Sequence, residues 1–149
     1  MKNLGSIVDL SEMRTRLREL RASDKPLWGK MTARQMAHHL RCSYEVALGD
    51  RAVAPKMGFA PVLTKWVALR SNLRWPKNVR TTPELEAAMG HYLKTEFDVT
   101  VQAVIDRMEE LAKGKRCAAT HPMFGPMTEG DWMRWGYLHA DHHLRQFGR

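Results

Sequence analysis

Leu10, Met13, Leu17 and Leu20 recur at intervals of three and four residues, the spacing of one buried stripe on a helix. This predicts a first helix from about Asp9 to Arg21. A second is announced by Thr32-Ala33-Arg34-Gln35, a capping-box sequence in which the Thr hydroxyl and the Gln amide satisfy orphan backbone groups. It should run to about Leu48, where Gly49 and Asp50 stop it. Pro55, Pro61 and Pro76 then break the pattern across residues 49–82. Inside that stretch Val62 to Leu73 reads as a short amphipathic helix. Leu63, Trp66, Val67 and Leu73 would share one face, with Lys65, Arg70 and Arg74 pointing away.

Thr82-Pro83-Glu84 has the cap, the first-turn proline and the acid of a third helix start. Its stripe is Leu85, Met89, Tyr92, Phe97, Val101, Val104, Ile105, Met108 and Leu111, and Gly114 is its expected end. After the loop from His121 to Pro126, Thr128 and Asp131 open a last helix that reaches about Phe147. No segment alternates with the period of two that marks a strand. The pattern therefore predicts an all-α protein, a four-helix bundle with a long crossover between the second and third helices, formed as one domain over residues 1–149.

Composition narrows the class. The chain is 44% hydrophobic, enough for a core, yet it has no apolar run of the ~18 residues that a membrane span requires. The first thirty residues carry several Arg and no apolar leader core, so no secretory signal is read. Cys42 and Cys117 stand alone, without CxxC spacing, so a disulfide framework or an all-cysteine zinc site is disfavoured, although one bridge between them stays open. A cytoplasmic protein is the expectation. Charge is uneven. Residues 1–80 hold 16 basic and 6 acidic groups, residues 81–149 hold 8 and 10, and the segment from Arg51 to Arg80 has seven basic residues and no acid. Such a stretch concentrates anions, whether substrate, nucleic acid or lipid headgroup, or it is a solubilising surface.

The last helix carries the densest chemistry. Trp132, Trp135, His139, His142, His143 and Gln146 fall within about a third of the circumference, with Arg134, Asp141 and Arg145 opposite. His139 and His143, four residues apart, can reach one point beside the helix. Zinc, nickel or ferrous iron accepts two such nitrogens, although histidine pairs also occur as ordinary hydrogen-bonded residues. The second helix offers a third ligand. With His39 turned inward, Gln35, Met36, Cys42, Ser43 and Val46 share its face. With His38 inward, Arg34, Arg41 and Glu45 would flank it, a poor core. His39 is the better ligand, and His38 is expected to be exposed or a hydrogen-bonding neighbour.

These residues resemble a family. Trp28 followed by Met31-Thr32-Ala33-Arg34-Gln35-Met36-Ala37-His38-His39-Leu40 is similar to the second helix of the DinB-like metalloproteins. His139-Ala140-Asp141-His142-His143-Leu144-Arg145-Gln146 is similar to that superfamily's last helix. The closer resemblance is to a branch described as a domain of unknown function, with Lys77-Asn78, Thr81-Thr82-Pro83-Glu84-Leu85 and the loop His121-Pro122-Met123-Phe124-Gly125 in corresponding places. The resemblance extends from Trp28 to the C-terminus. It implies a four-helix bundle with one divalent metal held by His39, His139 and His143, the adjacent His38 leaving a one-residue ambiguity. Characterised relatives include transferases and isomerases that use low-molecular-weight thiols.

Three imidazoles leave a coordination position open, as in catalytic zinc sites, where the ion acidifies a bound water or holds a thiolate. The absence of His-Glu-x-x-His disfavours a metalloprotease. His142, Gln146 and Ser43 are candidates to orient the ligands. His121 is placed either to close over the metal or to bond its own loop backbone. Cys42 reads as a small buried hydrophobe rather than a ligand, and Trp132 and Trp135 as core. Three classes follow: a metal-dependent transferase or hydrolase acting on a small molecule, with a thiol as a candidate cofactor and residues 51–80 as an anion-attracting lid; a non-catalytic metal- or ligand-binding module; and a nucleic-acid binder. The last is disfavoured because no aromatic stacking platform interleaves the basic residues. The partners expected are a small-molecule substrate and a second copy in a homodimer.

Overall fold

Ser6 caps the first helix, its hydroxyl accepting from the Asp9 amide, so α1 spans Ile7–Glu19 and starts two residues before the expected Asp9. The structure, a computed structural model, describes residues 1–54, 60–71, 73–77 and 96–149. The Thr32–Gln35 capping box forms in both directions, at 3.2 and 2.9 Å, and α2 spans Ala33–Leu48. Gly49 ends it at φ +82°, in the left-handed region that glycine enters without strain. A short helix, α3, covers Pro61–Arg70 with Pro61 in its first turn. Helix α4 covers Phe97–Ala112, and α5 covers Glu129–Gln146, opened by a second capping box between Thr128 and Asp131.

The architecture is an all-α helical bundle. Helices α4 and α5 each touch the other three long helices, α2 packs most extensively on α4, and α3 rides on α5. Met13, Leu17, Met36, Leu40, Tyr44, Ile105, Met108, Leu111, Trp132 and Leu144 form the centre. Each large apolar side chain so buried contributes roughly 1.5–3 kcal/mol relative to exposure. The approach of α2 to α5 depends on Gly136. A Cβ there would lie 2.6 Å from Leu4 Cδ1 and 3.2 Å from Tyr44 Cε1. The Tyr44 hydroxyl instead donates to the Gly136 carbonyl at 2.8 Å.

Four features depart from the sequence reading. The third helix does not run unbroken to Gly114, because Glu96 has extended backbone (ψ 143°) and α4 starts at Phe97. The expected start at Thr82 and the positions Leu85, Met89 and Tyr92 lie outside the described residues. A two-residue antiparallel ladder joins β1 (Thr120–His121) to β2 (Gly125–Pro126), too short to show alternation.

Arg134, expected on the outside of the last helix, is buried, at 8% exposure. Its guanidinium donates to the Leu69 and Lys2 carbonyls at 3.1 and 2.6 Å, tying the end of α3 and the chain start to α5. Helix α3 itself has its charges inward. Lys65 and Arg70 reach the buried Asp131 carboxylate at 3.3 and 2.8 Å, Leu69 is buried, and Leu63, Trp66 and Val67 face outward. The acidic first turn of α5 and the Leu69 anchor together rotate the helix that way. Among the described residues no helix is long and apolar enough to cross a membrane.

Candidate metal centre

The capping box fixes where α2 begins, and at about 100° per residue that fixes which of two adjacent histidines faces α5. His39 does. Its Nε2 stands 3.2 Å from Nε2 of His139. His143, one turn further along α5, brings its own Nε2 to 3.1 Å from the same His139 atom. The three ring centroids are 4.9–5.2 Å apart, and one nitrogen from each ring falls within 4.8 Å of the others. His39 and His143 are buried, and His139 keeps partial exposure.

Burial lowers the pKa of all three. His39 falls to about 4 through desolvation and the neighbouring charges of His142 and His38. His139 and His143 fall well below the usual histidine value, chiefly by burial and then by the charge of His143 at His139 and of His39 at His143, the Gln146 hydrogen bond opposing this at His143. All three are therefore neutral at neutral pH, the form a metal ligand requires.

The donor set fits one ion. A neutral imidazole nitrogen offers a single in-plane lone pair or a single hydrogen. His139 Nε2 has two nitrogen neighbours and can satisfy one of them by hydrogen bonding. Three nitrogens held tetrahedrally at ~2.0–2.1 Å from one cation stand ~3.3 Å apart, close to the 3.2 and 3.1 Å between His139 Nε2 and its two neighbours. Gln146 completes part of the shell, its Oε1 3.0 Å from His143 Nδ1. Nδ1 of His39 and of His139 has no hydrogen-bond partner among the described residues.

Aromatic rings wall the cluster. Trp135 lies 4.7 Å from His139, Trp75 lies 6.1 Å from both His139 and His142, and Trp28 lies 4.8 Å from His142. Trp75 also borders a cleft of about 400 Å³ whose lining includes Lys2, Arg74, Arg134, Tyr137 and Arg145. The sequence reading missed Trp28 and Trp75 as neighbours of the histidines. A tryptophan in a proline-broken, polar stretch, as Trp75-Pro76 is, was the available signal.

The remaining candidates are placed as follows. His142 is buried with its ring 5.1 Å from His143, and its Nδ1 has no partner among the described residues. His121 takes the loop role: its Nδ1 accepts from the Met123 and Phe124 amides at 3.1 and 3.3 Å, and its ring stacks on Phe124. It meets the cluster at second hand, 5.5 Å from Trp135. The Ser43 hydroxyl is buried and bonds nothing among the described residues, so it does not orient a histidine. His38 is buried rather than exposed, its Nε2 3.4 Å from Cys42 Sγ. Cys42 packs with Val46 and Val53, apart from the main core, and burial raises its thiol pKa. Both cysteines are free thiols. Trp132 is core, its indole donating to the Ala118 carbonyl at 2.6 Å.

The family described as "Protein of unknown function (DUF1569)" matches residues 2–149, a span that contains all three converging histidines. The chain belongs to the DUF1569 family. That agrees with the resemblance to a branch described as a domain of unknown function. No curated protein and no solved structure matches the chain. For this DUF1569 member the chemistry lies with the histidines: three neutral nitrogen donors, of which His139 has the most exposure, beside a cleft lined by four basic side chains and Asp141.

Proposed function

We propose that this chain is a metal-dependent enzyme of transferase or hydrolase type that binds one divalent ion, zinc, nickel or iron(II), through His39, His139 and His143. The observation that carries the reading is His139 Nε2, which faces two other imidazole nitrogens at 3.1 and 3.2 Å and can hydrogen-bond to one. A cation at the point of convergence would use all three lone pairs. The resemblance to the DinB-like metalloproteins supports the same three residues. Such an ion supplies Lewis acidity, acidifying a bound water or holding a thiol, including a low-molecular-weight thiol cosubstrate, as thiolate.

The protein's own contribution is orientation and access. Gln146 holds His143 by Nδ1, and the rings of Trp135 and Trp75 flank that of His139. The cleft beyond Trp75 is lined by Lys2, Arg74, Arg134 and Arg145 together with Asp141. Lys2 pairs with Glu12 and Arg145 with Asp141, so Arg74 is the cation that would attract a small substrate with a carboxylate or phosphate. A nucleic-acid role loses ground because three of the seven cations between Arg51 and Arg80 already pair with acids, Arg51 with Glu45 and Lys65 and Arg70 with Asp131.

Elemental analysis of the purified protein, followed by a turnover screen of the metal-loaded form against electrophiles with a thiol and against small esters and amides, tests the proposal. One equivalent of metal and turnover that chelation removes are expected. Stoichiometric metal without turnover in either screen would leave a non-catalytic binding module, and no metal uptake would sink the site.

A further inference from the structure

The outward face of α3 is an apolar surface, and we infer that it docks this protein reversibly on anionic lipid headgroups. Val62, Leu63 and Trp66 are 71%, 62% and 61% exposed, and Leu73, just past the helix end, is 69% exposed. Clusters of this kind on a water-facing helix mark an interaction surface. The helix is not simply misplaced. Leu69 is buried, Lys65 and Arg70 are clasped by Asp131, and Arg134 holds the Leu69 carbonyl. The rest of the fold therefore holds the apolar residues outward.

Charge selects the occupant. The chain from Arg51 to Arg80 has no acid. Around α3, Lys65 and Arg70 face one carboxylate between them, and Arg74 and Lys77 are exposed and form no ion pair among the described residues. An isologous contact of this face with a second copy would bring the unpaired positive charges of Arg74 and Lys77, and the one in excess at Lys65, Arg70 and Asp131, to both sides of the contact. A sheet of anionic headgroups would neutralise them while Trp66 and Leu63 enter the interface, the arrangement of an interfacial amphipathic helix. This reading uses none of the three metal ligands, although Leu73 and Arg74 also line the cleft beside Trp75.

The test is co-sedimentation of the full chain with vesicles of phosphatidylcholine alone and of phosphatidylcholine doped with phosphatidylglycerol. Binding to the doped vesicles, reduced by salt, is expected, with little to the zwitterionic ones. Leu63→Ser with Trp66→Ser should abolish it. Both residues are exposed, so circular dichroism and metal content should not change. Arg74→Ser with Lys77→Ser should weaken partitioning roughly fivefold per cation removed. Lys65 and Arg70 are left in place because they hold α3. Absence of binding to doped vesicles, or binding indifferent to the Leu63/Trp66 variant, would overturn the inference. So would self-association in ultracentrifugation that the same variant abolishes, since the face would then belong to a second copy.

Discussion

Gln146 determines which nitrogen of His143 carries the proton. The Gln146 amide nitrogen donates to the Trp28 carbonyl at 2.9 Å, a contact its oxygen cannot make. Oε1 is therefore turned to His143 Nδ1, 3.0 Å away, and accepts from it. With the hydrogen on Nδ1, the Nε2 lone pair points at His139 and His39. Replacing Gln146 with Leu keeps the volume approximately and releases the tautomer, so metal affinity should fall about 10–100-fold with the three ligands intact. Competition with a chromogenic chelator measures it. Unchanged affinity would show that Gln146 is a packing residue.

Removing a ligand should do more. His143→Ala is expected to abolish stoichiometric metal binding while the circular dichroism stays helical, because Trp132, Ala140 and Leu144 still bury the inner face of α5. On α2, His39→Ala should lose the metal and His38→Ala should retain it, since His38 is turned toward Cys42. The reverse pair of results would mean that the rotation of α2 set by Thr32 and Gln35 is off by one residue.

The convergence of His39 with His139 and His143 was legible because three signals agreed: a capping box that sets helix phase, an i, i+4 pair, and a stripe of small and apolar neighbours. Helix α3 was legible in extent and not in orientation. Its own residues suit an apolar face inward equally well, and the choice was made by Asp131, some sixty residues away, and by Leu69. Arg134 was misread for the same reason, as the carbonyls it serves, Leu69 and Lys2, are distant in sequence. The extended backbone at Glu96, which starts α4 at Phe97, has no Pro or Gly beside it to announce it.

Acid should weaken both the metal site and the fold. Protons compete for the ligand nitrogens, so metal affinity should decline as pH falls below the free imidazole value of ~6.5. The metal-free fold should weaken in the same direction. His121 and His142 have pKa values lowered to about 4, with burial the leading cause in both. Between ~6.5 and that value the unfolded chain binds more protons than the folded one, so stability is complete above the window and is lost on descending through it. His121→Asn keeps an acceptor for the Met123 and Phe124 amides and cannot titrate there. Urea unfolding of the metal-free protein at neutral pH and at ~pH 4.5 should show a shallower acid loss in the variant, by up to about 3 kcal/mol. Equal losses in the two proteins would show that His121 titrates normally.

Asp131 joins two jobs that a substitution can separate. It closes the capping box of α5, with the Thr128 amide donating to its carboxylate at 3.1 Å, and it clasps α3 through Lys65 and Arg70. Burial works to raise its pKa, but the Thr128 hydrogen bonds and Lys65 prevail and hold it below the usual carboxylate range. Asp131→Asn retains an oxygen for the Thr128 amide and removes the charge, so it should cost about 1–2 kcal/mol, mostly from α3. Asp131→Ala removes the cap as well and should cost about 2–4 kcal/mol. In both variants the α3 amides should exchange with solvent faster, while metal content holds, because Asp131 touches none of the three histidines. Hydrogen exchange read by mass spectrometry over Pro61–Arg70 is the deciding measurement. Unaltered protection there in Asp131→Ala would mean that Leu69 and Arg134 hold α3 alone, and that the inward turn of Lys65 and Arg70 is a consequence of its seating rather than the cause.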